Sequence, residues 1–394
     1  MKLSRILYLF ILTIPYSCDI SKNDFEPNST FVKIYDDNRF EQEYYPLDVI
    51  QTADNGYLIL SEKKDDQSLF TSVYVLKTDA LGNVVTQTEM VAPYSNPING
   101  WSKIGDLYYF VCMDANNLSG SLVAVDETGA LSDPIPIGGI TYPLVAEQDA
   151  NDLVILSFDN TNGESVISVV DINGQVTQKA SYNIGAGVDV EKPIIDHLTR
   201  NGPELPFSVG KISGGLYFFN GFYNYTFSLV FTNFGSDPTG VCQGQLSQGG
   251  ISAVSSLGNN VFGVARFNFG DNFLNPMANI ATSDVTSSTD LGGNVFPEIE
   301  SAARVKLLDV EGESKWLYAT NTVSKKIVLY GFDQASGNIL GTAYLGSSNP
   351  YSFASFTRTS DGGIAILAKT ALEGRFQRIA LFKRDANYLN ELLQ

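Results

Sequence analysis

The sequence is poor in the residues that most often carry chemistry. Its 394 residues include one histidine, three cysteines, four methionines and two tryptophans. A Ser-His-Asp hydrolase would have to use His197 as its base, and no G-x-S-x-G elbow presents a serine nucleophile. No phosphate-binding loop, dinucleotide fingerprint or Cys/His zinc spacing occurs, so neither a cofactor nor a metal is expected. Positive charge is also scarce. The chain has 25 Lys and Arg against 43 Asp and Glu, a formal charge of −18. Such a surface repels nucleic acid phosphates and anionic head groups, so no nucleic acid partner is expected. The apolar stretch Ile6–Ile14 is too short to span a bilayer. What is abundant is Gly (35), Phe (24) and Tyr (20), a composition of strands and tight turns.

The first seventeen residues read as a signal peptide: Lys2 and Arg5, the apolar core ILYLFILTI, then Pro15-Tyr16-Ser17. Cys18 behind a small Ser17 resembles the lipobox of bacterial lipoproteins. That resemblance implies that Cys18 becomes the first mature residue and carries acyl chains that hold the protein to the outer membrane. The following Asp19-Ile20-Ser21-Lys22-Asn23-Asp24 resembles the acidic export signal of Bacteroidota surface lipoproteins, which implies the extracellular face. Residues 18–30 then form a polar tether, and residues 31–394 the folded domain. The other two cysteines, Cys112 and Cys242, read as buried small hydrophobes in different repeat units.

Internal repetition sets the fold expectation. Residues 48–83 and 356–387 share one grammar. A strand ends in Thr, a tight Asp-Asn-Gly or Asp-Gly-Gly turn follows, then an apolar strand, a polar loop, and a strand ending in Lys-Thr-Asp79 or Lys-Arg-Asp385. Asn and Gly tolerate the positive φ that a two-residue hairpin needs. Weaker copies are centred on Tyr108–Val111, Leu153–Leu156, Leu216–Phe219, Val261–Val264 and Trp316–Ala319, with Tyr57–Leu60 and Ile364–Leu367 in the two clear copies. Four strands per unit at this spacing predict an all-β, seven-bladed β-propeller of four-stranded antiparallel blades. The last unit runs out after three strands, and Phe31–Tyr35 precedes the first unit without a partner. This N-terminal strand is therefore expected to close the last blade. The repeat resembles propeller-like repeats of secreted and surface proteins of Bacteroidota, which implies fold and location but no activity.

Three aromatic clusters are the candidate ligand-binding residues. The densest stretch, Leu216–Phe234, contains Phe222, Tyr223 and Tyr225 where a loop should join two strands. Arg266–Met277 contributes Phe269 and Phe273, and Trp101 lies with Tyr44 and Tyr45 near blade entrances. Exposed aromatics are costly unless they meet a sugar ring or a protein partner. His197, in the longest step between units, reads as a surface or packing residue. The functional expectation is a non-catalytic surface module of an outer-membrane complex, serving TonB-dependent uptake or secretion. A glycan- or peptide-capturing protein is the alternative. A carboxylate-based glycoside hydrolase or lyase ranks below both.

Overall fold

The computed structural model describes residues 30–36, 42–65, 69–187, 189–245, 248–258, 260–301, 303–310, 312, 314–346, 349–372 and 376–394. The signal peptide and the lipidation residue Cys18 lie outside these.

The chain is built from short antiparallel sheets, and all seven apolar stretches singled out above fall inside strands. Five sheets are blades of four antiparallel strands each. The first comprises Pro143–Asp149, Asp152–Asp159, Glu164–Val170 and Val176–Asn183. The second holds Ser208–Ser213, Leu216–Tyr223, Thr226–Thr232 and Gly240–Gln243. The third is Gly249–Gly258, Val261–Asn268, Asp271–Asn279 and the two-residue Asn294–Val295. The fourth is Lys306–Val310, Lys315–Asn321, Ile327–Asp333 and Ile339–Leu345. The fifth joins Tyr351–Arg358, Ile364–Leu372 and Phe376–Arg384 to the N-terminal strand Phe31–Tyr35. That strand runs antiparallel to the last one, Phe31 opposite Lys383 and Tyr35 opposite Ile379.

The expectation of a seven-bladed propeller is thereby corrected to a β-propeller with five such blades. The strands between Gln42 and Thr141 form one continuous nine-stranded sheet instead of separate blades. The physical cause is the linker around Tyr94–Ser95. A buried linker must satisfy its own N–H and C=O groups. This one does so against strands on both sides. Ser95 pairs with Ser72 and Met113, and Tyr94 with Asp114. Met90 donates to the Val73 carbonyl, Asn96 to Thr71, and Ile98 to Val111. The second blade departs too: Val285–Ser287 reaches back to pair parallel with Gly240–Gln243, leaving the third blade a fourth strand of two residues.

Packing closes the ring. Apolar layers lie between consecutive sheets, as where Tyr44, Val49, Ile59 and Leu76 of the nine-stranded sheet meet Ala365, Leu367, Ile379 and Leu381 of the fifth blade. Each fully buried aliphatic side chain contributes about 1.5–3 kcal/mol, so no sheet with two apolar faces is stable alone. Because strands alternate in direction, turns joining first to second and third to fourth strands share one face of the ring. Second-to-third hairpins and the linkers between sheets share the opposite face. We call these the turn face and the hairpin face. Phe31, opposite Lys383, stands at the turn face. The C-terminal helix Ala386–Leu392 buries Leu389 and Leu392 beside the fourth and fifth blades.

Candidate functional site

Among the described residues, the hairpin face carries one insertion large enough to reshape it. Between the first and second blades the chain leaves at Asn183 and returns at Ser208, forming helix α1 (Glu191–Leu198) on the way. Ile194 and Leu198 bury themselves against the first two blades. Lys64 donates to the Thr199 carbonyl (2.9 Å) and to the Asn201 amide oxygen (2.8 Å), while the Asn96 amide donates to the Leu198 carbonyl. His197 belongs to this packing. Its Nδ1 accepts from the Leu205 backbone (3.0 Å) and its ring meets Phe207 edge-on. Burial first, then the Arg200 charge, push its pKa down to about 3, so the imidazole is neutral and shapes the turn.

At the start of that insertion, a groove of about 450 Å³ forms beside the hairpin that joins Leu216–Tyr223 to Thr226–Thr232. Two non-glycine residues occupy the hairpin tip at positive φ, Asn224 at 42° and Tyr225 at 70°. Asn tolerates this region; Tyr does so only at a cost of about 1 kcal/mol or more. The strain is held by hydrogen bonds to the neighbouring segment: Asn224 N–H to the Asn183 carbonyl (3.1 Å) and Tyr225 N–H to that of Ile184 (2.6 Å). The Tyr225 ring lies on Gly185, where a Cβ would come within 2.7 Å of it. Gly185 is itself at φ 118° and receives support from Asn183, whose side-chain oxygen accepts its N–H at 2.8 Å. The result is an aromatic ring 61 % exposed yet fixed in place. Around it stand Glu164, Asn183, Asn224, Ser236, Asp237 and the Tyr223 hydroxyl. Burial, then the Asp237 charge, raise the Tyr223 pKa, which keeps that hydroxyl a donor.

The six aromatic residues read from sequence separate sharply. Tyr223 and Tyr225 line this groove. Phe222 does not: it precedes the turn, inside the strand, and packs against Phe207 and Phe227. Phe269 is exposed at the tip of the corresponding hairpin of the third blade. Phe273 is half-buried beneath the Arg266 guanidinium, 3.8 Å from its ring centre. Trp101 is buried against Phe110. Tyr44 is core, and Tyr45 lies under Lys369 at the wall of a central cavity.

That cavity, about 1100 Å³, runs along the ring axis between the innermost strands. Asp48 ties its wall together. One carboxylate oxygen accepts from Val49 N–H (3.0 Å), Lys306 Nζ (3.1 Å) and the Ser355 hydroxyl, and the other from Trp101 N–H (2.9 Å). Burial alone would raise its pKa, but Lys306 and these hydrogen bonds outweigh burial and hold it low. A carboxylate so fully engaged links three inner strands rather than moving protons. Nearby Glu147 faces the cavity and is lifted by burial to about 7, against the pull of Lys306. Sequence reasoning missed Asp48. The available signal was an acid inside the apolar run Leu47–Ile50. Among the described residues, no group of three or more His, Cys, Asp or Glu side chains is placed to hold a metal ion, Cys112 and Cys242 are buried and free, and no helix is long and apolar enough to cross a membrane.

Similarity to known proteins supports the fold and nothing finer. No protein-family model matches the sequence, and no curated protein matches it. Among solved structures, the BP39L lectin from Burkholderia pseudomallei aligns with a TM-score of 0.56 at 10% identity, covering 88% of this chain and 97% of the lectin. A chain of a mitotic checkpoint complex aligns at 0.51 and 12% identity, over 97% and 99% of the two chains. The β-propeller domain of the trilobed protease from Pyrococcus furiosus aligns at 0.49 and 11% identity, over 89% and 97%.

Proposed function

We propose that the protein is a non-catalytic, lipid-anchored surface protein that captures a neutral glycan in the groove built around Tyr225. The observation that carries this reading is Tyr225 itself: a strained backbone holds a large ring in solvent, flat on a glycine, beside amide, carboxylate and hydroxyl groups. A pyranose offers an apolar face to such a ring and hydroxyls to such neighbours. Strain persisting at an exposed residue points to a functional constraint.

Anchoring through Cys18 would leave the groove accessible. The tether of residues 18–30 would meet the fold at Phe31, on the turn face, while the groove opens on the hairpin face. Affinity electrophoresis through gels containing neutral bacterial, plant and fungal polysaccharides tests the reading. The wild-type protein is expected to be retarded by at least one of them, and Tyr225→Ala to migrate freely in that gel. Equal retardation of both, or of neither in any gel, overturns it.

A second reading, docking onto an outer-membrane protein complex, is favoured by one observation. Leu69, Phe269 and Val323 are all exposed at hairpins of the same face as Tyr225. A photo-crosslinker at position 269 would then label a membrane protein that the same probe at Val85, on an outer strand, does not.

A further inference from the structure

The mouth of the central cavity brings charges of both signs together. Arg200 of the insertion, Arg304 of the linker before the fourth blade, and Lys369 of the fifth blade all line it. Lys211 and Lys306 also line the cavity, as do the carboxylates Asp48, Glu62, Glu147, Glu204, Glu300 and Asp309. The two arginines contact one carboxylate. Glu204 lies 3.0 Å from Arg200 and 3.5 Å from Arg304. Burial alone would raise Glu204, but the charges of Arg200, Arg304 and Lys369 hold it at about 2.

The three cations are not equally committed. Arg200 also pairs with buried Glu62, which anchors the insertion to the nine-stranded sheet. Arg304 meets Glu204 at long range, and its other nitrogen reaches the Asn99 side chain (2.7 Å) when that amide is turned to donate to the Leu47 carbonyl. Lys369 sits 5.0 Å over the Tyr45 ring. Burial lowers the Lys369 pKa, opposed by Glu204 and Glu43 and reinforced by Arg200 and Arg304. Glu204 is about a third exposed and lines the cavity. It belongs to the insertion, whereas Arg304 belongs to the linker before the fourth blade and Lys369 to a strand of the fifth blade.

We propose that Arg304 and Lys369 form an oxyanion-binding site at the mouth of the central cavity, whose Arg304 arm pairs with Glu204 of the insertion in this structure and which a ligand carboxylate or sulfate takes over when Glu204 is displaced. The site is separate from the glycan groove and does not rest on it.

The test is thermal unfolding in sodium sulfate against sodium chloride of equal ionic strength. Glu204→Gln keeps the shape of the side chain and removes its charge. Sulfate is expected to raise the melting temperature of E204Q saturably, by about 2 °C, and that of the wild type by less than half as much. The gain should vanish in E204Q combined with Arg304→Gln and Lys369→Met. Where E204Q does not fold, Glu204→Asp withdraws the charge by one methylene and should show a smaller, saturable gain of the same kind. Equal gains in wild type and variant, or a gain that survives loss of Arg304 and Lys369, overturn the proposal.

Discussion

The two clearest repeats of the sequence build the same device in two places, and the structure makes them unequal. In the nine-stranded sheet, Lys77 Nζ donates to Asp54 (2.8 and 2.9 Å), to the Thr52 hydroxyl (3.0 Å) and to the Thr78 carbonyl (2.9 Å). In the fifth blade, Lys383 Nζ donates to Asp361 (2.7 Å) and to the Arg384 carbonyl (2.9 Å), and the Thr359 hydroxyl donates to Asp361. Both lysines are 2 % exposed, but Asp54 is 56 % exposed and Asp361 6 %. Each latch needs a glycine. A Cβ on Gly56 would stand 2.2 Å from the Thr78 carbonyl oxygen, and one on Gly363 2.2 Å from that of Arg384. The shared Thr-x-Asp-x-Gly and Lys pattern is thus a buried ammonium with its counter-ion, bridging the first turn to the third strand. The difference is one of setting. The fifth-blade latch lies where the N-terminal strand joins, with Phe31 opposite Lys383.

The largest expected effect from breaking this comparison is on the closing blade. Lys383→Met leaves Asp361 buried without a counter-charge, and chemical denaturation should report a loss of about 3 kcal/mol. Lys77→Met strands a carboxylate that is already hydrated, so the same measurement should find about 1 kcal/mol. A K77M loss equal to that of K383M would remove the distinction. A smaller effect sharpens it. Burial alone would raise both carboxyls, but the hydrogen bonds from Lys, Thr and Gly outweigh burial and hold them below their ordinary values. A depressed carboxyl contributes stability that is present above its unfolded pKa, about 3.9, and lost as pH falls through the folded value. The stability gap between wild type and K383M should therefore be largest near pH 7, narrow as the uncompensated Asp361 of the variant takes up its proton, and close as pH falls through the depressed wild-type value. A gap that widens in acid would contradict the assignment.

These latches explain how much of the fold could be read from the chain. The turn and strand letters repeat because a buried lysine tolerates little variation around it. That is why residues 48–83 and 356–387 announced themselves, and why Phe31–Tyr35 was legible as the partner of a three-stranded end. The separation into blades was not legible in the same way. Whether Tyr94–Ser95 stays a linker or welds two runs of strands into one sheet depends on backbone pairing, which leaves no mark in side-chain pattern. Nor does the parallel return of Val285–Ser287. The candidate site was half legible. Aromatic density pointed to residues 222–225, but only the turn geometry divides buried Phe222 from exposed Tyr225. Glu204, Arg304 and Lys369 come from three distant segments, and no spacing rule joins them.

The central claim is that a fixed, exposed ring on the hairpin face binds the ligand, and titration calorimetry of three proteins tests it most directly. With the glycan found by electrophoresis, Tyr225→Phe should keep affinity within about threefold of wild type, because the ring face supplies the contact. Tyr225→Ala should lose at least about tenfold, and both should melt with the wild type. An alanine variant that binds as tightly as the wild type would contradict the account.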